Sequence, residues 1–261
     1  MLVVTSTYND SYQNVLNFAN ANKLDLIVYN KNDRYEIGQE NKTYITDKLT
    51  IIDIPNYGRC DYAFLYYIIT NYHKLPDKVL FTKANFMDQN IRLEYALYCN
   101  YFMNIGKHIK YGILNPDFDK NILYNKGVHK NDTEDLLRNK KTYIDPNFQS
   151  YLTNDFYQII YGDKPPPDDY IIQFGHGPCF CVAKEAILNH PLSVYQKLLD
   201  TFYPNKNHWT NWEGHSTEEI NIQIGKRYHD NLQRFWTLLF VPNYKNENVE
   251  TDYENFVKIN A

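Results

Sequence analysis

The segment Asn56-Tyr57-Gly58-Arg59-Cys60-Asp61 has the residue types and spacing of an anion-binding turn at the start of a helix. Gly58 permits a tight turn and a close approach of the backbone to a ligand. Backbone N–H groups at the helix start bind anions, and Arg59 adds a bidentate fork for phosphate. Asp61 would either cap the helix or accept a hydrogen bond from a ribose or sugar hydroxyl. The competing interpretation is a capped turn with a surface arginine.

A second segment, Glu213-Gly214-His215-Ser216-Thr217-Glu218-Glu219, collects carboxylates at the start of a predicted helix. Ser216 or Thr217 is a natural N-cap with acidic residues in the first turn, and that role alone explains both final glutamates. Trp209 and Trp212 flank this loop. Exposed tryptophans beside carboxylates suit stacking on a sugar face, whereas buried ones would be ordinary core.

Two shorter motifs are also candidates for ligand contacts. In Phe174-Gly175-His176-Gly177-Pro178, two glycines beside a histidine let the backbone approach a ligand, although a turn with an incidental histidine explains the same pattern. Asp117-Phe118-Asp119 offers carboxylates of the kind that Mg²⁺ and Mn²⁺ prefer. Such a motif is also expected by chance in a chain with 31 acidic residues.

The elements that must position these residues alternate between strand and helix patterns in the first third of the chain. This alternation predicts an α/β fold with a mixed, mostly parallel sheet flanked by helices. Polar residues follow the strands, and ligands of such sheets bind outside the carboxyl ends of the strands. Predicted strands are 2–6, 24–29, 49–54 and 78–82; predicted helices are 11–20, 61–72 and 90–104; residues 30–33 are a predicted turn. Later, 170–182 reads as strand, glycine-rich turn and strand, and 184–202 as a helix interrupted near 189–191.

Composition narrows the class of protein. The 261 residues are 43% hydrophobic, enough for one large domain, and the net charge of -4 gives no electrostatic case for nucleic acid. We expect no signal peptide, no membrane span and reduced cysteines, hence a cytoplasmic protein. The many tyrosines, 25 in all, predict an AT-rich genome, such as that of a large DNA virus or a protist; the alternative is a carbohydrate-stacking surface. For a viral protein the location would be host cytoplasm or virion.

Several short matches, in the same order along the chain, resemble an uncharacterised family of glycosyltransferase-like proteins. The turn Asn56-x-Gly58-Arg59 is followed by a helix, by Leu75-Pro76-Asp77 and by the strand Val79-Leu80-Phe81. Further on, segments 177–182 (GPCFCV) and 234–240 (RFWTLLF) are similar to that family's glycine–aromatic strand and aromatic helix. The resemblance extends over most of the chain and implies a sugar-transferring enzyme.

The first third also resembles the nucleotide-sugar half of the glycosyltransferase A (GT-A) fold, which implies a nucleotide-diphosphate-sugar donor. In that fold the strand after the helix ends in an Asp-x-Asp that holds a divalent metal. Here Phe81 is followed by Thr82-Lys83-Ala84-Asn85, without an acidic pair. Either Lys83 and Arg59 neutralise the diphosphate, which needs only positive charge in position, or Lys83 is a surface residue. Mn²⁺ or Mg²⁺ at Asp117 and Asp119 is the metal-dependent alternative.

The resemblance implies one domain with a nucleotide-sugar half (1–110), an acceptor and catalytic half (111–240) and a peripheral tail (241–261). Glu219, or its neighbour Glu218, would be the general base that deprotonates the acceptor hydroxyl in an inverting transfer. The implied donor contacts are Tyr8, Asn30, Asp33, Asn56, Gly58, Arg59, Asp61, Lys83 and Asn85. The sugar or glycan acceptor would contact Phe174, His176, Gly177, Trp209 and Trp212.

The leading hypothesis is therefore a hexosyl- or pentosyltransferase. Its rival is a non-catalytic carbohydrate-binding or scaffold protein on the same fold, supported by the missing acidic pair after Phe81. A metal-dependent hydrolase that uses His176, His215 and Asp117 ranks last because the ligand spacing is irregular. The donor sugar, the acceptor, inversion or retention, and the oligomeric state are left open.

Overall fold

The structure is a computed structural model that describes residues 1–32, 41–56, 58–84, 93–105, 109–113, 158–162, 171–175, 179–202, 236–237 and 239–240. Within these ranges the chain forms an α/β fold with helices on both faces of a mixed sheet. The strands are β1 Leu2–Thr7, β2 Asp25–Asn32, β3 Thr43–Ile45, β4 Leu49–Pro55, β5 Lys78–Lys83, β6 Phe102–Asn104, β7 Ile109–Ile113, β8 Ile171–Gly175 and β9 Phe180–Ala183. The helices are α1 Gln13–Ala21, α2 Arg59–Asn71, α3 Lys184–Leu188 and α4 Leu192–Asp200.

Seven strands form the central sheet in the order β3-β4-β2-β1-β5-β9-β6. Strands β4, β2, β1 and β5 run parallel, while β3, β9 and β6 each pair antiparallel with a neighbour. The chain moves outward from β1 through β2 to β4, and then α2 returns it to the other side of β1, where β5 is added. This reversal between β1 and β5 is the topological switch point, beside which α/β sheets bind ligands.

Strand β1 is central because its residues are apolar on both faces. Val3 packs with Val15 and Ala19 of α1, whereas Val4 packs in the cluster that contains Phe64 of α2. Successive strand residues point to opposite faces, so a parallel strand covered by helices on both sides needs an apolar run rather than an alternating one. The first strand of the sequence supplies such a run.

Helix α2 lies between the sheet and later parts of the chain. Phe64 of α2 packs 5.0 Å, centroid to centroid, from Phe81 of β5, and Phe180 of β9 packs at the same distance from Trp236. Trp236 in turn stacks on Phe240 at 5.7 Å. Burial of each such ring contributes about 1.5–3 kcal/mol, so residues far apart in sequence are held in one core with α2.

The predicted elements of the first third are confirmed, each to within two or three residues, and so is the interruption of the helix near 189–191, where Pro191 precedes α4. The predicted helix over 90–104 is wrong in its described part. Leu93–Tyr98 is a 3-10 helix, and Phe102–Asn104 is strand β6, because pairing with β9 outweighs local helix propensity. The turn predicted at 30–33 is wrong for its first three residues, which extend β2, and β3 was not predicted.

The two strands predicted in 170–182 are present as β8 and β9, but they do not pair with each other. Strand β8 pairs antiparallel with β7 in a separate two-stranded sheet, and β9 joins the central sheet. All four cysteines are free thiols. None of the helices in the described ranges is long and apolar enough to cross a membrane.

Candidate functional site

The carboxyl ends of β1 and β5 lie side by side at the switch point. Ser6 pairs with Lys83 across the two strands, and the backbone N–H of Ala84 donates to the carbonyl oxygen of Ser6 at 3.0 Å. Lys83 is half-buried and follows Phe81 by two residues, so both side chains lie on the face of the sheet that packs against α2. The predicted cation therefore stands at the point of the fold where ligands are expected.

The turn before α2 has two consecutive residues with left-handed backbone conformation, Gly58 with φ of 51° and Arg59 with φ of 48°. A Cβ added to Gly58 would lie 2.4 Å from the Phe202 ring. Gly58 therefore leaves room for the Phe202 ring, and the predicted approach of a ligand to the backbone at Gly58 stays a prediction. For Arg59 the left-handed conformation costs about 1–2 kcal/mol, and backbone strain of this kind occurs preferentially at ligand sites. Arg59 is exposed at the helix start.

Asp61 is the third residue of α2 and fully buried. Its carboxylate accepts a hydrogen bond of 2.5 Å from the indole N–H of Trp236. The N-cap position belongs to Gly58, so the prediction that Asp61 caps the helix is wrong. The reason is that the N-cap lies three residues before Asp61, so Asp61 is inside the first turn of α2 and is buried in the core. A direct contact of Asp61 with a sugar hydroxyl stays a prediction.

Lys31 is a component of this site that the sequence did not reveal. It lies near the carboxyl end of β2, is 4% exposed, and its ammonium nitrogen is 5.9 Å from the centroid of the Tyr62 ring. The pKa of Lys31 is lowered to about 7, chiefly by burial; Cys60 and Asp61 oppose this shift, and Arg59 acts in the same direction as burial. A lysine is seldom buried in this way, and strongly perturbed titrating groups are concentrated at functional sites.

Lys31, Arg59 and Lys83, called here the cationic cluster, surround the first turn of α2. The pKa of the Cys60 thiol is raised well above its usual value, chiefly by burial, and both Lys31 and Lys83 oppose that rise. Both lysines are therefore within electrostatic range of this turn. Three basic side chains and the partial positive charge at the start of a 13-residue helix come together here with the carboxylate of Asp61. This arrangement favours a multiply charged anion such as a diphosphate.

The other face of the same sheet edge carries a neutral donor and a carboxylate. Asn30 alternates with Lys31 along β2 and therefore points away from α2. Its side-chain amide donates to Asp53 of β4 at 2.7 Å, because register pairs these two residues directly. Thr7 is the β1 residue in register with Asn30. Asn30 and Asp53, called here the amide–carboxylate pair, form a polar ridge suited to hydroxyl and base edges rather than to anions.

A family model described as "Protein of unknown function (DUF3431)" matches residues 2–222. The chain belongs to this family. The match includes every described strand, so the sheet and its carboxyl edge lie within the DUF3431 region. No curated protein and no solved structure matches the chain.

Other donor contacts predicted for this DUF3431 chain lie at the same edge. Tyr8 follows β1 and is 41% exposed, and Asn56 follows β4 and is exposed. Phe174 lies within β8 of the two-stranded sheet. The remaining predicted residues lie outside the described ranges: Asp33, Asn85, Asp117, Asp119, His176, Gly177, Trp209, Trp212, His215, Glu218 and Glu219. Within the described ranges, no three His, Cys, Asp or Glu side chains come together as a metal site.

The sequence carried a signal for Lys31 that the prediction of a turn obscured. In Asp25–Asn32, Ile27, Tyr29 and Lys31 fall on one face by strand alternation, so extending the strand places a lysine in phase with core residues. Asp53 is harder to find, because a carboxylate inside a β-rich run is equally compatible with an exposed strand edge. Only the register with Asn30 shows its role.

Proposed function

We propose that this protein is a glycosyltransferase that uses a nucleotide-diphosphate-sugar donor. The observation that carries the proposal is the cationic cluster, Lys31, Arg59 and Lys83, around the start of α2 at the switch point. Phosphate oxygens are bound by helix N-termini and by arginine and lysine side chains. A diphosphate between β1, β5 and α2 satisfies all three sources of positive charge at once.

We also propose that the domain has a GT-A-like fold. It is supported by the parallel run β4-β2-β1-β5, by the reversal beside β1, and by the turn from β4 into α2 that carries Gly58 and Arg59. The amide–carboxylate pair on the opposite face offers one donor and one acceptor for the base or ribose of the same donor molecule.

In the proposed reaction, the acceptor hydroxyl oxygen forms a bond to the anomeric carbon as the bond from that carbon to the diphosphate oxygen breaks. The nucleotide diphosphate leaves with the electron pair, and the cationic cluster stabilises the charge that develops on it. The proton of the hydroxyl passes to a carboxylate base, for which Glu219 and Glu218 are the candidates. Charge stabilisation by lysine and arginine removes the need for a metal on the diphosphate.

A ligand screen tests the proposal. Thermal unfolding is followed with uridine, guanosine, adenosine, cytidine and thymidine diphosphates, each with and without Mn²⁺. A ligand present at about a hundred times its Kd should raise Tm by roughly 5–10 °C. Arg59→Gln should abolish the shift, whereas Lys74→Gln, an exposed basic residue just after the far end of α2, should not change it. No shift with any of these nucleotides overturns the proposal.

An assay of donor turnover then distinguishes an enzyme from a non-catalytic carbohydrate-binding or scaffold protein. Incubation with the sugar conjugates of the stabilising nucleotide should release free nucleotide diphosphate, slowly with water and faster with an acceptor glycan. Stabilisation with no release would favour the carbohydrate-binding or scaffold alternative. A shift that requires Mn²⁺ and is lost in Asp117→Ala would assign the diphosphate to a metal at Asp117 and Asp119 instead of to Lys83 and Arg59.

A further inference from the structure

Strand β3 is the last strand on one side of the central sheet, and it carries exposed apolar residues. Ile45 is 74% exposed and Tyr44 is 56% exposed, so these neighbours are the two most exposed large hydrophobic side chains in the described ranges. Behind them, Ile51 and Ile52 of β4 are only half-buried. Edge strands of monomeric proteins are usually covered, twisted away or made polar, so an apolar edge indicates a surface that pairs with another strand.

The hydrogen bonds between β3 and β4 show which backbone groups of β3 face the open edge. The carbonyl oxygen of Lys42 and the N–H of Thr46 each bond to the backbone of β4, at 2.9 and 2.8 Å. In an antiparallel pair, residues bonded to the partner strand alternate with residues whose N–H and C=O point away from it. Tyr44 therefore belongs to the bonded set, and Thr43 and Ile45 direct their backbone groups toward the edge.

Both ends of β3 are held against the rest of the domain. The side-chain amide of Asn41 donates to the hydroxyl oxygen of Tyr66 on α2 at 2.8 Å. The hydroxyl of Thr46 donates to the carbonyl oxygen of Leu49 at 3.3 Å. A strand that is already ordered loses little conformational freedom when another strand pairs with it.

We propose that β3 pairs antiparallel with β3 of a second copy of this chain, with the two Tyr44 residues facing each other across a two-fold axis. In this register Thr43 of each copy lies opposite Ile45 of the other, and each of these pairs exchanges both of its backbone hydrogen bonds. The same patch is used by both copies, as in most homodimers, and the two central sheets join into one. The inference goes beyond the proposed function and does not depend on it.

The apolar side chains of β3 fit this register. Tyr44 lies opposite Ile51 of β4, on the face of the sheet that packs against α1. Directly opposed residues that are not bonded through the backbone have the closest side chains in an antiparallel pair, so the two Tyr44 rings would cover each other and the half-buried Ile51. On the other face, Ile45 of each copy would pack on Thr43 of the other.

The charges beside β3 favour a second copy in the same register. Lys42 precedes the strand and Asp47 follows it, and both are exposed. Antiparallel pairing about Tyr44 brings Lys42 of each copy beside Asp47 of the other. A register centred on Ile45 would instead set Lys42 opposite Lys48, and like charges directly opposite each other are destabilising.

The proposed pairing leaves the cationic cluster open. A two-fold axis that relates antiparallel strands reverses the direction of every strand, so the carboxyl edges of the two parallel runs lie at opposite ends of the joined sheet. The start of α2 is therefore accessible in both copies, and we expect nucleotide binding to be the same in monomer and dimer.

Sedimentation equilibrium at about 5–500 µM tests the pairing. Because the edge is short, we expect a weak dimer, whose average mass rises with concentration from near the 31.1 kDa of one chain toward twice that value. Tyr44→Lys should raise the dissociation constant at least about tenfold, because two ammonium groups would then face each other on the axis. Tyr98→Lys is the matched control: Tyr98 is 55% exposed, in the 3-10 helix before β6 at the opposite edge of the sheet, and its variant should sediment like wild type.

Disulfide cross-linking tests the register. The Cα atoms of the two Tyr44 residues would be about 4.5 Å apart, which lies within the range that a disulfide spans. Oxidised glutathione should therefore join two copies of Tyr44→Cys. Ile45→Cys is the matched control, because the two introduced thiols would be offset along the strands and should not join. Wild type, which has four cysteines of its own, gives the background.

Three results would overturn the proposal. A monomer at every concentration would leave the β3 edge to a strand of a different protein. A dimer that Tyr44→Lys does not weaken, or that Tyr98→Lys weakens equally, would place the contact on another surface. Faster cross-linking of Ile45→Cys than of Tyr44→Cys would exclude the register centred on Tyr44. None of these results bears on diphosphate binding, which the thermal screen tests separately.

Discussion

The two faces of the sheet's carboxyl edge carry opposite chemistry although they share the same strands. On the α2 face, Lys31, Arg59 and Lys83 gather around a helix start; on the other face, Asn30 and Asp53 satisfy each other at 2.7 Å. Lys31 and Asn30 are adjacent in sequence, so one step along β2 separates the two environments. Strand alternation decides on which face each side chain lies, and the N-terminus of α2 lies on the face that carries the proposed anion site.

The largest expected difference is in stability, between variants that remove the two carboxylates Asp61 and Asp53. Asp61→Ala removes the carboxylate that faces Lys31 and the acceptor for Trp236, so we expect a loss of about 3–5 kcal/mol in the free energy of unfolding. Asp53→Ala breaks one part-buried hydrogen bond with Asn30 and should cost only about 1–2 kcal/mol. Urea denaturation of the two variants measures both values. Equal losses would show that the two carboxylates do not differ in how they are held.

The next largest effect on stability is expected at Gly58, in the turn before α2. Gly58→Ala meets the Phe202 ring and also keeps a left-handed backbone, so it should lose about 3 kcal/mol. Gly162→Ala is the matched control, because Gly162 has φ of 72° with nothing within 4 Å of an added Cβ. It should lose only about 1 kcal/mol, the backbone cost alone.

Thermal denaturation of the two glycine variants, with Phe202→Leu added to each, separates the clash from the backbone cost. If the clash dominates, the leucine should recover part of the loss in Gly58→Ala and none in Gly162→Ala. A similar loss in both single variants would contradict the packing role of Phe202.

The pH dependence of the free energy of unfolding should distinguish the buried Lys31 from an exposed lysine. Burial lowers the pKa of Lys31 from 10.5 to about 7, so between these values the unfolded chain holds a proton that the folded chain does not. Wild-type stability therefore rises with pH across that interval, and the full penalty applies below about pH 7. Lys31→Met lacks this pH dependence and should gain about 3 kcal/mol relative to wild type as pH falls from about 9 to about 6.

Urea denaturation of wild type, Lys31→Met and Lys74→Met at several pH values tests the linkage. Lys74 is exposed, so its methionine variant should differ from wild type by the same small amount at every pH. A difference between Lys31→Met and wild type that does not change with pH would mean that Lys31 stays charged in the fold.

The smallest expected effect concerns ligand affinity. Lys83→Met should weaken pyrophosphate binding by roughly tenfold, the value of one charge-assisted hydrogen bond. Asn30→Ala should leave pyrophosphate binding within about twofold, but weaken the binding of a nucleoside diphosphate by several-fold through its missing contact with ribose or base. Calorimetry with the two ligands distinguishes the faces. A loss of pyrophosphate affinity in Asn30→Ala would contradict the assignment of phosphate to the α2 face and of ribose or base to the opposite face.

Local pattern was sufficient to predict the β1-α1-β2 and β4-α2-β5 units, the position of Arg59 at the start of α2 and that of Lys83 at the end of β5. The prediction failed at 90–104, a segment with helix-forming residues. Part of this segment forms β6, which pairs with β9, a strand about 80 residues later in the chain. It also failed at the end of β2, where polar residues imitate a turn although Lys31 and Asn32 still pair with β4. Both errors arise because long-range pairing outweighs local preference.

The sequence by itself determined the alternation of strands and helices, the apolar faces that make β1 and α2 central, and the glycine–arginine turn, because each of these depends on residues within one element. Only the tertiary structure decided that Lys31 is buried beside that turn, that Asp61 faces Trp236, and that Gly58 must accommodate Phe202. These depend on register and on packing between residues as much as 175 positions apart. No periodicity encodes such contacts, and the proposed anion binding at this turn depends on them.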